Sequence, residues 1–187
     1  MADDMRYYET FYGIDTDDWT NTFGSFNSST KQLVKDYINE GCGFTDTSDA
    51  SLTNTFLYPH HIKKVYFIEG VITGHITLAA STATSTVSDY RVSVCKTESG
   101  NGAVADDDEL FTTGWISPAV SLVWDSTYSI GEERVFPFWI DAWEAEKLTG
   151  DDRLYLKVEV QGDNTLVLYH SNDSTWQDLK VEIPMRM

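Results

Sequence analysis

Residues 134–146, RVFPFWIDAWEAE, are the part of the sequence whose side chains could most readily do chemistry. They set aromatic rings beside carboxylates, a combination typical of sugar sites, in which a flat ring faces the sugar. Trp139 and Trp143 are the candidates for such a carbohydrate platform. Glycoside hydrolysis would further need two carboxylates at a fixed separation, for which Glu144 and Glu146 are available.

The same segment also has the pattern of a core strand. Phe136 and Phe138 share one face at the two-residue period of a strand, as core residues should. The stretch 142–148 would then be a short helical connection. This core interpretation is the one that the spacing favours, and the sugar platform stays open as the alternative.

Other catalytic or metal-binding motifs are missing from the sequence. It contains no P-loop, no HExxH, no Gly-x-Ser-x-Gly and no paired Cys-x-x-Cys. A run of four carboxylates could hold Ca²⁺ or Mg²⁺, although such a run more often forms a solvated loop tip; its residues are Asp106, Asp107, Asp108 and Glu109. We therefore predict a protein that is not an enzyme, with no catalytic residue and no cofactor.

Composition restricts the partners. The 187 residues carry 13 Lys and Arg against 30 Asp and Glu, a net charge of −17, with 41% hydrophobic residues. A strongly acidic surface disfavours nucleic acid and anionic membranes as partners. The start of the sequence lacks the pattern of a secretory signal, and no apolar run has the length of a membrane span. Abundant Asp with scarce Lys also suits a saline setting, since salt screens repulsion between acidic surfaces.

The pattern along the chain predicts an all-β protein. Short runs of alternating apolar residues fill residues 51–187, and the clearest is 152–160, in which Leu154, Leu156, Val158 and Val160 should face the core. A turn at 161–164 should return the chain antiparallel over 165–170. Because the connections are too short for crossover helices, we expect an antiparallel two-sheet sandwich, in the form of an eight-stranded single jelly roll.

Residues 1–50 differ from this β domain and are predicted to form an N-terminal arm. One short helix is expected over 29–40, where apolar residues follow helical spacing. Isolated aromatic residues in the polar arm need a pocket on the same chain or on a neighbour. The candidates for assembly contacts are Tyr7, Phe11, Tyr12 and Trp19.

The size, the Asp-rich composition, the arm, and the strands over 52–184 with their closing run DRLYLKVEVQGDNTLVLYH…LKVEIP together resemble one family. These are the small single jelly-roll capsid proteins of internal-membrane-containing icosahedral viruses of halophilic archaea. The resemblance implies a capsid subunit that is made in the host cytoplasm and resides in the virion. It also implies partners: other copies of the chain, other capsid proteins, and an internal virion membrane or its membrane proteins.

Two other functions remain open at this stage. One is a carbohydrate-binding jelly-roll module, or a viral receptor-binding or decoration protein, with Trp139 and Trp143 exposed. The other is a hydrolase that uses Glu144 or Glu146.

Overall fold

A computed structural model describes most of the chain. The described residues are 6–14, 31–35, 44–47, 51–58, 62–97, 109–128, 130–150, 152–170 and 179–187, and they contain no helix. The predicted all-β class is therefore confirmed for this part of the chain. Trp19, Asp106, Asp107, Asp108 and most of the predicted helix lie outside the described residues.

Fourteen strands make up this structure. In chain order they are β1 (Arg6–Ile14), β2 (Lys31–Val34), β3 (Phe44–Thr47), β4 (Ser51–Leu57), β5 (Tyr66–Ala80), β6 (Ser85–Thr97), β7 (Glu109–Thr112), β8 (Val120–Leu122), β9 (Trp124–Asp125), β10 (Ile130–Gly131), β11 (Glu133–Leu148), β12 (Arg153–Gly162), β13 (Leu166–His170) and β14 (Leu179–Arg186).

The strands form two sheets: a large one that is antiparallel except for one short contact, and a short antiparallel pair of β9 and β10. In the large sheet, β5 pairs with β11 on one side and with β13 and β14 on the other. β14 also pairs with β1, and β1 pairs with β2. A short parallel contact joins β2 to β4. β4 pairs with β12, and β12 pairs with β6. The other edge of β6 pairs with β7 and β8.

The large sheet folds back on itself. The path from β11 through β5, β14, β1, β2, β4 and β12 to β6 has seven pairings, so a flat sheet would separate β11 from β6 by about 34 Å at ~4.8 Å per strand. Instead, the Tyr90 hydroxyl on β6 donates a hydrogen bond of 2.9 Å to the carbonyl oxygen of Pro137 on β11. The ring of Tyr90 also packs edge to face on Phe136, with ring centroids 5.6 Å apart. The two halves therefore lie face to face, consistent with a sandwich.

One hydrophobic core fills the space between the halves. β5 and β11 contribute Ile72, Ile76 and Phe138 from one half, and the predicted inward row of β12 comes from the other. Leu154, Leu156, Val158 and Val160 are all buried, so the alternation in this strand is confirmed. Tyr155, which should face out, is also buried, because it packs with Leu57 and Cys95 in a small second cluster.

Three local predictions are wrong. Lys31–Val34 forms a strand instead of a helix, because it pairs with β1 and β4, which outweighs a weak helical spacing. The stretch 142–148 continues β11 and is not a helical connection. β13 pairs with β5 and not with β12, so the turn at 161–164 carries the chain to the other half.

That turn is held by side chains of the residues around it. The Asp163 carboxylate accepts a 2.6 Å hydrogen bond from the Thr86 backbone N–H. The Asn164 amide donates to the carbonyl of Thr84 at 2.9 Å. These contacts attach the turn to β6 and direct the chain away from β12.

The aromatic residues of the expected arm lie in β1, which pairs with β14 of the same chain. Phe11 is buried and packs edge to face on Tyr58, with ring centroids 5.3 Å apart. It therefore belongs to its own chain's core and is not available to a neighbouring subunit. Tyr7 and Tyr12 are half-buried. The ring of Tyr7 packs edge to face on the ring of Tyr66, with centroids 6.3 Å apart.

Two glycines of β5 have different roles. Gly70 has a φ of +133°, and the pairing with β11 shifts register beside it, so the sheet has a bulge here. At Gly74 the pairing is regular, so no bulge occurs there. Instead, the ring of Phe138 lies across Gly74, in the space that a side chain would fill.

Candidate functional site

Strand β11 is both a core strand and an exposed surface. Its residues Phe136, Phe138 and Ile140 are buried, while the alternate residues face outward. Trp139 is 65% exposed and Trp143 is 74% exposed. The core interpretation and the platform interpretation of this segment therefore apply to opposite faces of the same strand.

The register extends this surface across three strands. Trp139 lies opposite Thr73 of β5, which lies opposite Glu182 of β14. In the next row, His75 of β5 lies opposite Lys180 of β14. Since directly paired residues point to the same side of a sheet, these groups share one surface. Asp141 and Trp143 are the next exposed alternate residues of β11 after Trp139. We call this surface the outer face and define it by Trp139, Trp143, Asp141, Thr73, His75, Lys180 and Glu182.

A network of polar groups lies in the middle of the outer face. Lys180 Nζ is 2.7 Å from Glu182 Oε1, and Thr73 Oγ1 donates to Glu182 Oε2 at 3.4 Å. The hydrogen bond from Lys180 is the main cause that holds the pKa of Glu182 below its ordinary value, and the nearby charge of His75 adds to it. Glu182 is therefore a carboxylate at neutral pH.

Removing Lys180 should make the stability depend less on pH. A carboxyl group with a lowered pKa stabilises the fold above its unfolded pKa and loses that contribution as the pH falls through its folded pKa. We expect Lys180→Met to raise the pKa of Glu182 and to lower the free energy of unfolding by less than about 1 kcal/mol at neutral pH, because the pair is partly exposed.

Urea unfolding of both proteins in low salt, at about pH 7 and about pH 3, tests this expectation. The difference between them should shrink as the pH falls toward the lowered pKa of folded Glu182, because protonation removes the charge that pairs with Lys180. An equal difference at the two pH values would contradict the assignment.

The free edge of β11 is closed to a further strand in its middle. Among the described residues β11 forms its ladder only with β5. Pro137 has no N–H to donate, and its carbonyl is taken by Tyr90. A register shift between Ala142 and Glu146 disturbs the later part of the strand. Proline and bulges are common ways of blocking strand addition, so the outer face, and not the edge, is the accessible surface.

The other predicted site residues do not join the outer face. Glu109 is exposed at the start of β7, and its three acidic neighbours lie outside the described residues. Glu144 is exposed and Glu146 is half-buried, both close to the bulge of β11. Within the described part of the chain, no group of three His, Cys, Asp or Glu could hold a metal ion. This part also has no helix with the length and apolarity needed to cross a bilayer.

Thr73, Lys180 and Glu182 were not identified from the sequence. The alternation in LKVEIP places Lys180 and Glu182 on one face, which is a usable signal. Their proximity to Thr73 depends on pairing between β5 and β14, which are 109 residues apart at this contact. Nothing in the sequence fixes that register.

Comparison with solved structures shows the fold in larger proteins. Two structures of a CocE/NonD family hydrolase from Staphylococcus aureus match 96% and 97% of this chain, each with a TM-score of 0.56, at 10% and 12% identity. An aminopeptidase from the marine sediment archaeon Thaumarchaeota archaeon matches 97% at a TM-score of 0.56 and 9% identity. The matched part is 37% of each of those chains. No protein-family model and no curated protein sequence matches this chain.

These matches correct the functional expectations. The prediction of a virion structural protein is wrong, as are its alternatives of a carbohydrate-binding, receptor-binding or decoration module. The virion localisation and the prediction of a non-enzyme are also wrong, since the neighbours are hydrolases from a bacterium and an archaeon. Size, acidity and a β layout are shared by many β proteins and do not distinguish a capsid subunit. The expected partners remain a prediction.

Proposed function

We propose that this chain is the β-sandwich component of a hydrolase and that its outer face holds the substrate. The observation that carries the proposal is the alignment of nearly the whole chain with hydrolase structures. A unit that spans 37% of such chains accounts for one part of the enzyme. The groups that break the bond are then contributed by another part of the enzyme or by another polypeptide.

We further propose that the sandwich is a single jelly roll. The strands of one half run β1–β14–β5–β11, and those of the other half run β4–β12–β6–β7. Numbered one to eight along the chain, these strands give the orders 1-8-3-6 and 2-7-4-5. Successive connections that cross from one half to the other support this topology, which consists of two Greek keys.

The choice of the outer face rests on exposure and chemistry. Trp139 and Trp143 are among the most exposed large apolar side chains of the described residues. Exposed aromatic rings bordered by polar groups are common anchors for bound molecules. The outer face adds a carboxylate, a hydroxyl and an ammonium group in fixed positions on three paired strands.

Isolation of the tagged chain, together with whatever it associates with in the cells that make it, tests the proposal. Hydrolysis of aminoacyl 4-nitroanilides and 4-nitrophenyl esters should co-purify with the chain. Trp139→Ala should raise KM about 10-fold with little change in kcat, since it removes binding to the substrate and no reacting group.

Trp115→Ala provides the control, because Trp115 is also exposed but lies outside the outer face. Its KM should stay unchanged. Preparations that contain the chain but hydrolyse neither class of reporter would overturn the proposal.

A further inference from the structure

The two exposed tryptophans flank a carboxylate. Trp139, Asp141 and Trp143 are alternate residues of β11, and all three are exposed. At ~3.3 Å per residue, the Asp141 Cα lies about 7 Å from each tryptophan Cα, and the tryptophans are about 13 Å apart. The row therefore presents two aromatic faces with a negative charge between them.

Asp141 and the neighbouring Glu144 are two of the acidic strand residues that have no basic partner among the described residues. Several others have a basic group within ion-pair distance; these pairs are Glu9–Lys35, Glu69–Arg186, Glu159–Arg91 and Glu182–Lys180. Neither Asp141 nor Glu144 forms an ion pair with a described residue. Their charge is available to a cation from outside the described chain.

Trp115, in the other half of the sandwich, is an exposed tryptophan that does have a cation on its ring. The Arg91 guanidinium lies over the Trp115 ring, 5.2 Å from its centroid, and is also bound by the Glu159 carboxylate at 2.6 Å from Nε. Tryptophan is the strongest of the cation–π partners, and a nearby carboxylate adds Coulomb attraction. Trp139 and Trp143 have the ring and the carboxylate but no cation from the described residues.

We propose that the Trp139–Asp141–Trp143 row binds an extended polypeptide through its lysine or arginine side chains, as the substrate of the proposed hydrolase. This inference rests on the proposed function for the word substrate, while the binding itself rests on the row. The net charge of −17 attracts a basic segment over a long range. A neutral sugar could stack on the rings but would not pair with the negative charge of Asp141.

The spacing of the row defines the peptide. Side chains at i and i+4 of an extended chain are also about 13 Å apart and lie on the same side. Two basic residues four positions apart can therefore cover both rings at once. One basic residue can cover only one ring, which gives a built-in comparison.

Isothermal titration calorimetry of the full chain against synthetic peptides tests the inference. The probes are a peptide with two arginines four residues apart, the same peptide with one arginine, spermidine and cellohexaose. We expect the two-arginine peptide to bind about 10-fold more tightly than the one-arginine peptide, and more tightly than spermidine. Raising the salt should weaken the binding.

The variants separate the row from the net charge. Trp139→Ala and Asp141→Asn should each weaken binding of the two-arginine peptide by about 5- to 30-fold, because each removes one part of the cation site. Trp115→Ala keeps the same net charge and should bind as the unaltered chain does. Circular dichroism checks the fold, and Trp143→Ala provides a second test of the same row if Trp139→Ala is poorly folded.

Equal binding by the unaltered chain and Trp139→Ala would overturn the inference, as would binding of spermidine as tightly as the peptide. Binding of cellohexaose in place of the peptides would assign the row to carbohydrate instead. These measurements use the chain alone and no hydrolysis, so their failure is distinguishable from the failure of the proposed function.

Discussion

Replacing Phe138 by alanine should lower the free energy of unfolding by about 3–5 kcal/mol. The ring is 2% exposed and lies across Gly74, between the two halves of the sandwich. Its removal leaves a cavity that the paired strands β5 and β11 cannot close, because their ladder fixes the backbone. At about 2–4 °C per kcal/mol for a chain of this size, the melting temperature should fall by about 10 °C.

Urea unfolding followed by circular dichroism measures this loss, and Val135→Ala is the matched control. Val135 lies on the same strand but is 56% exposed, so its truncation should cost less than about 1 kcal/mol. Equal losses for the two variants would mean that Phe138 is not in the core.

Adding a single methyl group at Gly74 should have the second largest effect. A Cβ there would collide with the carbonyl oxygen of Lys180 and would lie 2.5 Å from Cζ of Phe138. The first atom is backbone and the second belongs to a buried ring, so neither can move without disturbing β14 or the core. We expect Gly74→Ala to cost about 2–3 kcal/mol of unfolding free energy.

Gly150→Ala makes the same chemical change where there is room. The nearest atom to a Cβ at Gly150 is the carbonyl oxygen of Ile62 at 3.5 Å, an ordinary contact. Thermal unfolding should show a change within about 1 kcal/mol for this variant. A loss at Gly150 as large as that at Gly74 would show that the crowding at Gly74 is not the cause.

The sequence was most informative where a strand has one face in the core. The row from Leu154 to Val160 alternates visibly, and all four predicted inward residues of β12 are buried, although Arg153 and Tyr155 are buried as well. Phe136 and Phe138 were also predicted correctly as core residues. Period-two alternation is a local property, so it can be seen without knowing which strand lies alongside.

Pairing between distant strands could not be predicted. The turn at 161–164 has the residues of a hairpin, yet its side chains bind β6 and the chain crosses to β5. Lys31–Val34 is a strand because β1 and β4 lie on either side of it. In both places the tertiary contacts outweigh a weak local preference.

About half of the candidate site could be predicted from the sequence. The burial of Phe136 and Phe138 implies that Trp139 and Asp141 point outward, although the expected helix at 142–148 obscured the place of Trp143. The partners across the sheet required the register of β5 and β14. The net charge gave an expectation about the surroundings of the protein, whereas the functional class inferred from size, composition and strand layout was wrong.

The position of β5 has a consequence for how the protein folds. Its neighbours β11 and β14 come much later in the chain than β5 itself, and β1 also pairs with β14. One of its hydrogen-bonding edges therefore stays open until β11 is available, and most of the other edge stays open until β14 is available. Sandwiches dominated by such distant pairings fold in about milliseconds to seconds, because long loops must close before the distant strands can pair. The centre of the finished structure is thus completed only when the final strand is in place.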